Sequence, residues 1–199
     1  SITAIGAITE STLIPAMAAF QVQHPEICFE LISSRQSVDL RKGTADIALR
    51  FTDQPPEYLI GHKLMEVPWR IFAGQHFFDQ YPRPNSWQQA EQLPWIAMDS
   101  SISTEAARWF NKRIPQKKVL FRSNDVEVVA AAAAANMGLA YLPDAPHFSK
   151  YALQSLAQLM GESEQLYYSQ LWLLVHPDLK GSTKVMSFYR FLIHLKYIL

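Results

Sequence analysis

The chain has a single cysteine, Cys28, and only seven glycines in 199 residues. One cysteine cannot form an internal disulfide or a cysteine-based zinc site, which fits a reducing, cytoplasmic location. Because Cys28 stands between Ile27 and Phe29, we expect a buried, inert thiol within a strand. The glycines form no phosphate-binding or dinucleotide-binding pattern, so we expect no cofactor.

The sequence also lacks an excess of charge of either sign. Lys+Arg and Asp+Glu number 18 each, so the formal net charge is +0. A surface that binds nucleic acid through its phosphates needs a basic excess. We therefore do not expect this chain to contact DNA directly.

Patterns of catalytic and metal sites are missing as well. The chain has no GxSxG, HExxH or EF-hand pattern, and its six histidines form no pair at helical spacing. We expect no metal site and no enzyme activity. No apolar run reaches the length of a signal peptide or a membrane span, so we expect no membrane partner. The chain starts in a strand-like run without Met, which favours a domain excised from a longer protein.

What the sequence does contain is ample material for a core, since 49% of its residues are hydrophobic. These residues are arranged in alternating strand and helix patterns. In the first part, Pro25 ends a helix at His24 and Gly43 ends another. The predicted elements are a strand at 2–8, a helix from 13 to 24, a strand at 27–32, a short helix at 38–42 and a strand at 46–50.

A second unit repeats this layout. Its elements are a strand at 95–98, a helix at 104–112, a strand at 119–121, an alanine-rich helix at 126–136 and a strand at 139–142. The isolated hydrophobic runs 69–73 and 171–175 are interpreted as strands that cross between the units. Residues 185–199 show helical spacing of apolar residues and should pack on the first unit.

These patterns predict an α/β fold of two Rossmann-like lobes joined by two crossover strands. Lobe I should comprise residues 1–73 plus 176–199, and lobe II residues 74–175. In open parallel sheets, ligands bind where strand carboxyl ends meet helix N-termini. We therefore expect a small-molecule site in a cleft between the lobes, with hinge closure.

The candidate binding residues lie in the loops at these strand ends. They are Thr9, Ser11, Ser33, Ser34, Arg35 and Phe51 in lobe I, and Asp99, Ser100, Ser101, Ser123 and Asn124 in lobe II. The alternative for each polar residue is that it only caps the following helix.

Two segments carry a resemblance to a known family. LIPAMAAFQVQHPEICFELISSRQSVDLRKGTADIALRF, from Leu13 to Phe51, resembles the effector-binding domain of LysR-type transcriptional regulators, and so does FRSNDVEVVAAAAAANMGLAYLPD, from Phe121 to Asp144. One departure is Asn136, where the family often has glycine. Asparagine tolerates the left-handed geometry of that turn.

The resemblance implies a type II periplasmic-binding-protein fold that senses a small-molecule effector. It also implies a winged helix-turn-helix before this segment, which would contact promoter DNA and is absent from this chain. Family members pair side by side and often form tetramers. The helix at 13–24 and the alanine-rich helix are the dimer faces that the resemblance implies. The candidate residues above, apart from Arg35 and Phe51, match the family's effector loops by position.

Two other functions share this fold. A solute-binding protein of a transport system would carry a secretion signal, so the native N-terminus decides between it and a regulator. An enzyme would need convergent acid or base groups, and only Asp99 and Asp125 stand near the predicted cleft.

Overall fold

The structure is a computed structural model that describes residues 1–33, 40–99, 104–157 and 167–195. The chain forms two compact units: unit 1 consists of Ser1–Glu66 and Ser169–Leu199, and unit 2 of Val67–Tyr168. It passes between them within two strands, β4 (Ile60–Ala73) and β9 (Tyr168–Val175). The sequence predicts both transitions a few residues later, because only the apolar second half of β4 stands out as a pattern.

Unit 1 contains a four-stranded sheet. Its strands are β1 (Ile2–Ala4), β2 (Leu31–Ser33), β3 (Ile47–Phe51) and β9, in the order β2-β1-β3-β9. β1 is parallel to β2 and β3, as expected, whereas β9 runs antiparallel to β3. A short 3-10 turn at Leu40–Lys42 precedes β3, and Gly43 follows it with φ +64°, as its predicted role as a helix stop requires.

The predicted strand at 2–8 is wrong beyond Ala4. A helical segment begins instead at Gly6 and comprises α1 (Gly6–Ile8), a π-helical stretch (Thr9–Leu13) and α2 (Ile14–Gln23). A short apolar run has no period that separates a buried strand from a buried helix, and Ile8 is buried here in a helix. The π-helical stretch lies just before Pro15, which has no N–H to donate to the carbonyl four residues back and whose ring clashes with that carbonyl.

The prediction of a buried Cys28 is also wrong, since its side chain is exposed. The strand is shorter than expected, and residues 27–30 approach it as extended chain. Alternate residues of such a chain point to opposite sides. Ile27 and Phe29 face the core, so Cys28 and Glu30 face outward.

The core of unit 1 lies between its sheet and two helices. Apolar residues of β1, β3 and β9 pack against α2 and against α6 (Thr183–Leu195). Phe20 of α2 contacts Phe188 and Phe191 of α6, with ring centroids 5.0 and 5.1 Å apart. The predicted packing of the C-terminal helix on this unit is therefore confirmed for the described residues up to 195.

Unit 2 contains a mixed sheet with the order β4-β7-β5-β6, and a two-residue strand, β8 (Gln154–Ser155), pairs with β4. The central strands are β5 (Trp95–Met98), β6 (Val119–Ser123) and β7 (Leu139–Pro143). The helices are α3 (Trp87–Ala90), α4 (Glu105–Arg113) and α5 (Val126–Ala134). β5 is parallel to β6 and β7, as the sequence predicts, and β4 is antiparallel to β7.

Both faces of this sheet are covered. Trp95 and Ala97 of β5 pack with α3 and α4, whereas Ile96 between them packs with α5. This alternation is what a strand buried on both faces requires. The alanine-rich sequence of α5 lets that helix approach the sheet closely, and four of its residues are buried: Val129, Ala130, Ala132 and Ala133.

Asn136 has the left-handed conformation that the sequence analysis predicts, with φ 63°. Its side-chain oxygen accepts a hydrogen bond from the backbone N–H of His76 at 3.0 Å. A Cβ at Gly74 would lie 2.3 Å from that oxygen. Asparagine thus both adopts the turn and ties it to the segment that follows β4.

Candidate functional site

The carboxyl ends of β1 and β2 lie side by side in unit 1. Ser33, the last residue of β2, is the register partner of Ala4 in β1 and is exposed. The helical segment starts just beyond, at Gly6, where a Cβ would lie 3.7 Å from the Ser33 Oγ. The structure therefore places the Ser33 hydroxyl beside the start of a helix, which begins at Gly6 instead of at the predicted residue 13.

Thr9 and Ser11 do not lie in a loop. Both belong to the π-helical stretch, and the Thr9 hydroxyl is buried and donates to the Ile5 carbonyl at 3.1 Å. Ser11 is exposed, and its hydroxyl lies 3.4 Å from that of Thr12. The helix starts before these residues, so neither of them caps it.

Arg50 is a polar residue of this edge that the sequence analysis left out. It is half-buried near the end of β3, and its guanidinium donates to the buried Thr3 hydroxyl at 2.5 Å. Burial lowers the pKa of Arg50, although arginine stays charged at any ordinary pH. Phe51, the next residue, packs against the core of unit 1. A positive charge within an otherwise apolar strand was the available signal.

In unit 2, the carboxyl ends of β5 and β6 are joined. Met98 is the register partner of Ser123, and the Asp99 backbone N–H donates to the Ser123 carbonyl at 2.8 Å. Asn124 follows and is exposed. The structure thus brings together three predicted residues of lobe II, namely Asp99, Ser123 and Asn124.

Helix capping accounts for several polar groups at this edge. The Ser123 Oγ accepts a hydrogen bond from the Asp125 backbone N–H at 3.1 Å, and Asp125 Oδ1 accepts one from the Glu127 N–H at 2.9 Å. Thr104 caps α4 by accepting from the Ala107 N–H at 3.2 Å. The Ser123 hydroxyl is therefore engaged in the turn before α5, and Asp125 caps that helix.

Arg122 flanks the same edge. One of its guanidinium nitrogens donates to the Met98 carbonyl at 2.9 Å, and the other donates to the Gln116 side chain. The contact with Met98 fastens the ends of β5 and β6 to each other.

A charged cluster holds the start of α5. The Glu127 carboxylate accepts a hydrogen bond from Tyr151 at 2.8 Å and lies 3.0 Å from the Lys150 ammonium. Its other oxygen lies 3.4 Å from the His147 Nε2. Burial lowers the pKa of His147, an effect that Glu127 opposes and Lys150 reinforces. Burial, together with the bond to Glu127, raises the pKa of Tyr151.

We expect His147 to make the chain less stable in mild acid. Its pKa in the folded chain lies below the ordinary 6.5, so the unfolded chain binds a proton more readily. The stability is fully present above about pH 6.5 and is lost as pH falls through the lowered pKa of the folded chain. Melting temperatures measured from neutral to mildly acidic pH should therefore fall more for wild type than for His147→Gln. The exposed His76→Gln variant should follow wild type, and identical profiles for all three proteins would contradict the expectation.

The cavities within each unit lie mostly away from these edges. A cavity of about 550 Å³ in unit 1 is lined at the amino ends of β1 and β3 by Ile2, Asp46 and Ile47. One of about 510 Å³ in unit 2 lies around Pro143 and Phe148. A slot of about 10 Å³, between β5 and α4, adjoins a predicted loop.

Four predicted residues, Ser34, Arg35, Ser100 and Ser101, lie outside the described residues. Within the described ranges, no three His, Cys, Asp or Glu side chains are grouped as metal ligands. No helix of the described chain has both the length and the apolar character needed to cross a membrane.

Comparison with known proteins gives a consistent result. Residues 1–195 match the family model described as the LysR substrate binding domain. The chain is 31% identical over 98 residues to an HTH-type transcriptional regulator of Xanthomonas campestris, covering 49% of this chain and 28% of that protein. It is 25% identical over 175 residues to the probable HTH-type transcriptional regulator LtrA of Klebsiella pneumoniae, covering 84% of this chain and 56% of LtrA. The chain thus spans about half the length of LtrA and a smaller share of the Xanthomonas protein.

A solved structure extends this likeness to the fold. The regulatory domain of CrgA, described as a LysR-type transcriptional regulator from Neisseria meningitidis, superposes with a TM-score of 0.76 at 19% identity. The alignment covers 97% of this chain and 96% of that one. At this identity the likeness establishes the fold, and the predicted two-lobed α/β class is confirmed.

Proposed function

Because the chain belongs to the LysR substrate-binding domain family, we propose that it is the effector-sensing part of a longer, DNA-binding transcriptional regulator in the cytoplasm. The observation that carries the proposal is the family match over residues 1–195. The curated relatives are helix-turn-helix regulators, which favours this function over solute transport and over enzyme activity. In this proposal DNA is recognised mainly by a segment outside the chain.

The effector we propose is a small polar or anionic metabolite. In unit 1, the exposed Ser33 hydroxyl lies beside a helix start, and the half-buried Arg50 brings positive charge to the same strand ends. In unit 2, Asp99 and Asn124 lie at the joined ends of β5 and β6. The cleft between the lobes, as well as roles for Ser11, Ser34, Arg35, Phe51, Ser100, Ser101 and Ser123, stays a prediction. Thr9 is left out because its hydroxyl is buried and already bonded.

Ser33→Ala should weaken effector binding without unfolding the chain. The substitution removes one hydroxyl, and a hydrogen bond contributes about 0.5–1.5 kcal/mol net, so the dissociation constant should rise about two- to tenfold. A thermal-shift screen of polar metabolites identifies a binder, because a ligand of the folded state raises the melting temperature. The screen is followed by calorimetric titration of wild type and variant.

Ser155→Ala is the matched control for this test. Ser155 is an exposed strand residue in β8, away from the parallel strand ends. Its substitution should leave affinity unchanged. Equal affinity of wild type and Ser33→Ala would remove Ser33 from the site.

We also propose that the chain pairs with a second copy through α2 and α5. Along α2, Ile14 is 49% exposed and Val22 is 83% exposed, with the exposed Ala18 between them at helical spacing. In unit 2, Val128 of α5 and Leu120 of β6 are exposed as well. Exposed apolar stripes on a protein surface are typical of protein–protein interfaces. Tetramer formation by the full-length protein belongs to the same proposal.

Val22→Asp should shift the chain from dimer to monomer. A charge placed in an apolar interface loses its hydration without gaining a partner, so the dimer dissociation constant should rise at least about tenfold. Sedimentation velocity over a concentration series measures it. Met65→Asp, at an exposed apolar residue of β4 outside both helices, is the control and should keep the wild-type constant. A dimer of unchanged stability in Val22→Asp would exclude α2 from the interface.

A further inference from the structure

One strongly basic surface segment has no role in the function proposed so far. Residues 112–118 read KRIPQKK, with four basic residues in seven: Lys112, Arg113, Lys117 and Lys118. We call these four residues the basic corner. Short runs rich in lysine and arginine are typical of nucleic-acid or polyanion contacts. The net charge of the whole chain is zero and conceals this local excess.

The corner is built on fixed backbone. Lys112 and Arg113 end α4, and Lys117 and Lys118 lie in a 3-10 turn at Gln116–Lys118. Between them, Ile114 is buried in the core of unit 2 and its N–H donates to the Phe110 carbonyl at 2.9 Å. The Lys118 N–H donates to the Pro115 carbonyl at 2.8 Å and closes the turn. The buried isoleucine anchors the corner, so its basic side chains are held in one region.

Two charges of the corner, those of Lys112 and Lys117, stay available. Lys112 and Lys117 are exposed, and in the described part of the chain neither lies within ion-pair distance of a carboxylate. Lys118 donates to the Gln92 carbonyl at 2.6 Å, which is neutral. The Arg113 guanidinium lies over the rings of Trp87 and Trp109, 5.3 and 5.1 Å from their centroids. The two ring contacts hold the Arg113 guanidinium in place.

Stabilisation of α4 explains only part of this arrangement. Cations in the last turn favour the negative end of a helix, which accounts for Lys112 and Arg113. Lys117 and Lys118 follow that end and lie outside the helix. Residues 105–122 hold six basic residues and a single acidic one, Glu105, more charge than helix capping requires.

We propose that the basic corner contacts the phosphate backbone of the DNA to which the full-length protein is bound. This inference rests on the proposed function as a DNA-binding regulator. A few cations bind DNA weakly by themselves at physiological salt. When another segment holds the protein on the duplex, the local phosphate concentration reaches the millimolar range, and a weak contact then adds to affinity. Phosphate contacts carry no sequence information, so the corner would strengthen binding to all sequences alike.

The test compares full-length wild type with K112Q/K117Q, which removes the two exposed charges. Each phosphate contact contributes about 0.9 to the slope of log affinity against log salt concentration. Fluorescence anisotropy with a mixed-sequence duplex, from about 50 to about 200 mM salt, should show a slope shallower by about 1 to 2, so wild type loses up to about tenfold more affinity over this range. The control K180Q/K184Q removes two exposed charges from unit 1 and should keep the wild-type slope.

The outcomes separate this proposal from the one on which it rests. A shallower slope in K112Q/K117Q alone supports the corner. Wild-type binding with equal slopes in all three proteins overturns the corner and leaves the regulator function in place. Failure of wild type to bind any duplex overturns both. Salt-sensitive binding to vesicles of anionic phospholipid that K112Q/K117Q loses, with an unchanged DNA slope, assigns the corner to a membrane surface and also overturns the proposal.

Discussion

Replacement of Trp95 by alanine should lower the free energy of unfolding by about 3–5 kcal/mol. Trp95 is fully buried at the start of β5, and its indole N–H donates to the Ala90 carbonyl at 2.9 Å. Its ring stacks on Trp87 and meets Phe110 edge-on. Truncation leaves a cavity where β5, α3 and α4 meet, and it removes one of the two hydrogen bonds that the Ala90 carbonyl accepts, the other coming from the Leu93 N–H at 3.1 Å. Urea unfolding followed by circular dichroism measures the change.

Trp95→Phe separates the two contributions. It keeps an aromatic ring in the core and loses the hydrogen bond, so we expect a smaller loss of about 1–2 kcal/mol. If the free energy of unfolding of Trp95→Ala lies within about 1 kcal/mol of the wild-type value, unit 2 does not depend on the packing of this side chain.

Phe20→Ala should have an effect of similar size, about 3–5 kcal/mol, in unit 1. Phe20 joins α2 to α6 through its ring contacts with Phe188 and Phe191, and Phe29 packs against it from the chain before β2. Without this ring α6 loses much of its packing on α2. Hydrogen exchange of α6 amides should therefore accelerate, alongside the lower midpoint of urea unfolding.

Val22→Ala on the same helix is the control. Val22 is exposed and Phe20 is buried, so the former substitution should change the free energy of unfolding by no more than about 0.5 kcal/mol. A large loss in Val22→Ala, or unchanged α6 exchange in Phe20→Ala, would contradict the assignment of Phe20 as the link between the helices.

Local signals explain where prediction from sequence succeeds. β5 has the predicted bounds Trp95–Met98, and α5 begins at the predicted Val126 because Asp125 caps it. Gly43 and Asn136 both have the positive φ that their positions suggest. In each case one residue and its neighbours decide the conformation, so the sequence is sufficient.

Prediction from sequence fails where residues far apart in the chain decide the local conformation or the burial of a side chain. Residues 5–8 are apolar enough for a strand, but Ile8 and Leu13 reach the core of unit 1 from a helix that starts at Gly6. Cys28 is exposed because its neighbours Ile27 and Phe29 take the inward positions. A run of apolar residues does not reveal which of its members the rest of the chain will bury.

The candidate site also combines features that the local sequence predicts with features that only distant residues decide. Strand order along the chain is enough to place Ser33, Asp99 and Asn124 at the carboxyl ends of parallel strands, since successive parallel strands present these ends at one edge. Whether a hydroxyl there is available depends on nearby backbone donors and carbonyls, and the structure shows that the hydroxyls of Thr9 and Ser123 are already used. The contact of Arg50 with Thr3 on the neighbouring strand places Arg50 at these strand ends, and the sequence does not reveal that contact.

The single cysteine, the few glycines and the balanced charge show the same difference between what the sequence and what the tertiary structure determines. The sequence by itself determined the α/β class and the family resemblance, and the lack of glycine-rich and catalytic patterns led us to expect no nucleotide cofactor and no catalysis, because these depend on residue types and their spacing. Only the tertiary structure decided the environment of the single cysteine, the partners of each polar group and the exposure of the basic corner. These properties depend on contacts between residues far apart in the chain, and a balanced net charge gives no information about where the charges lie.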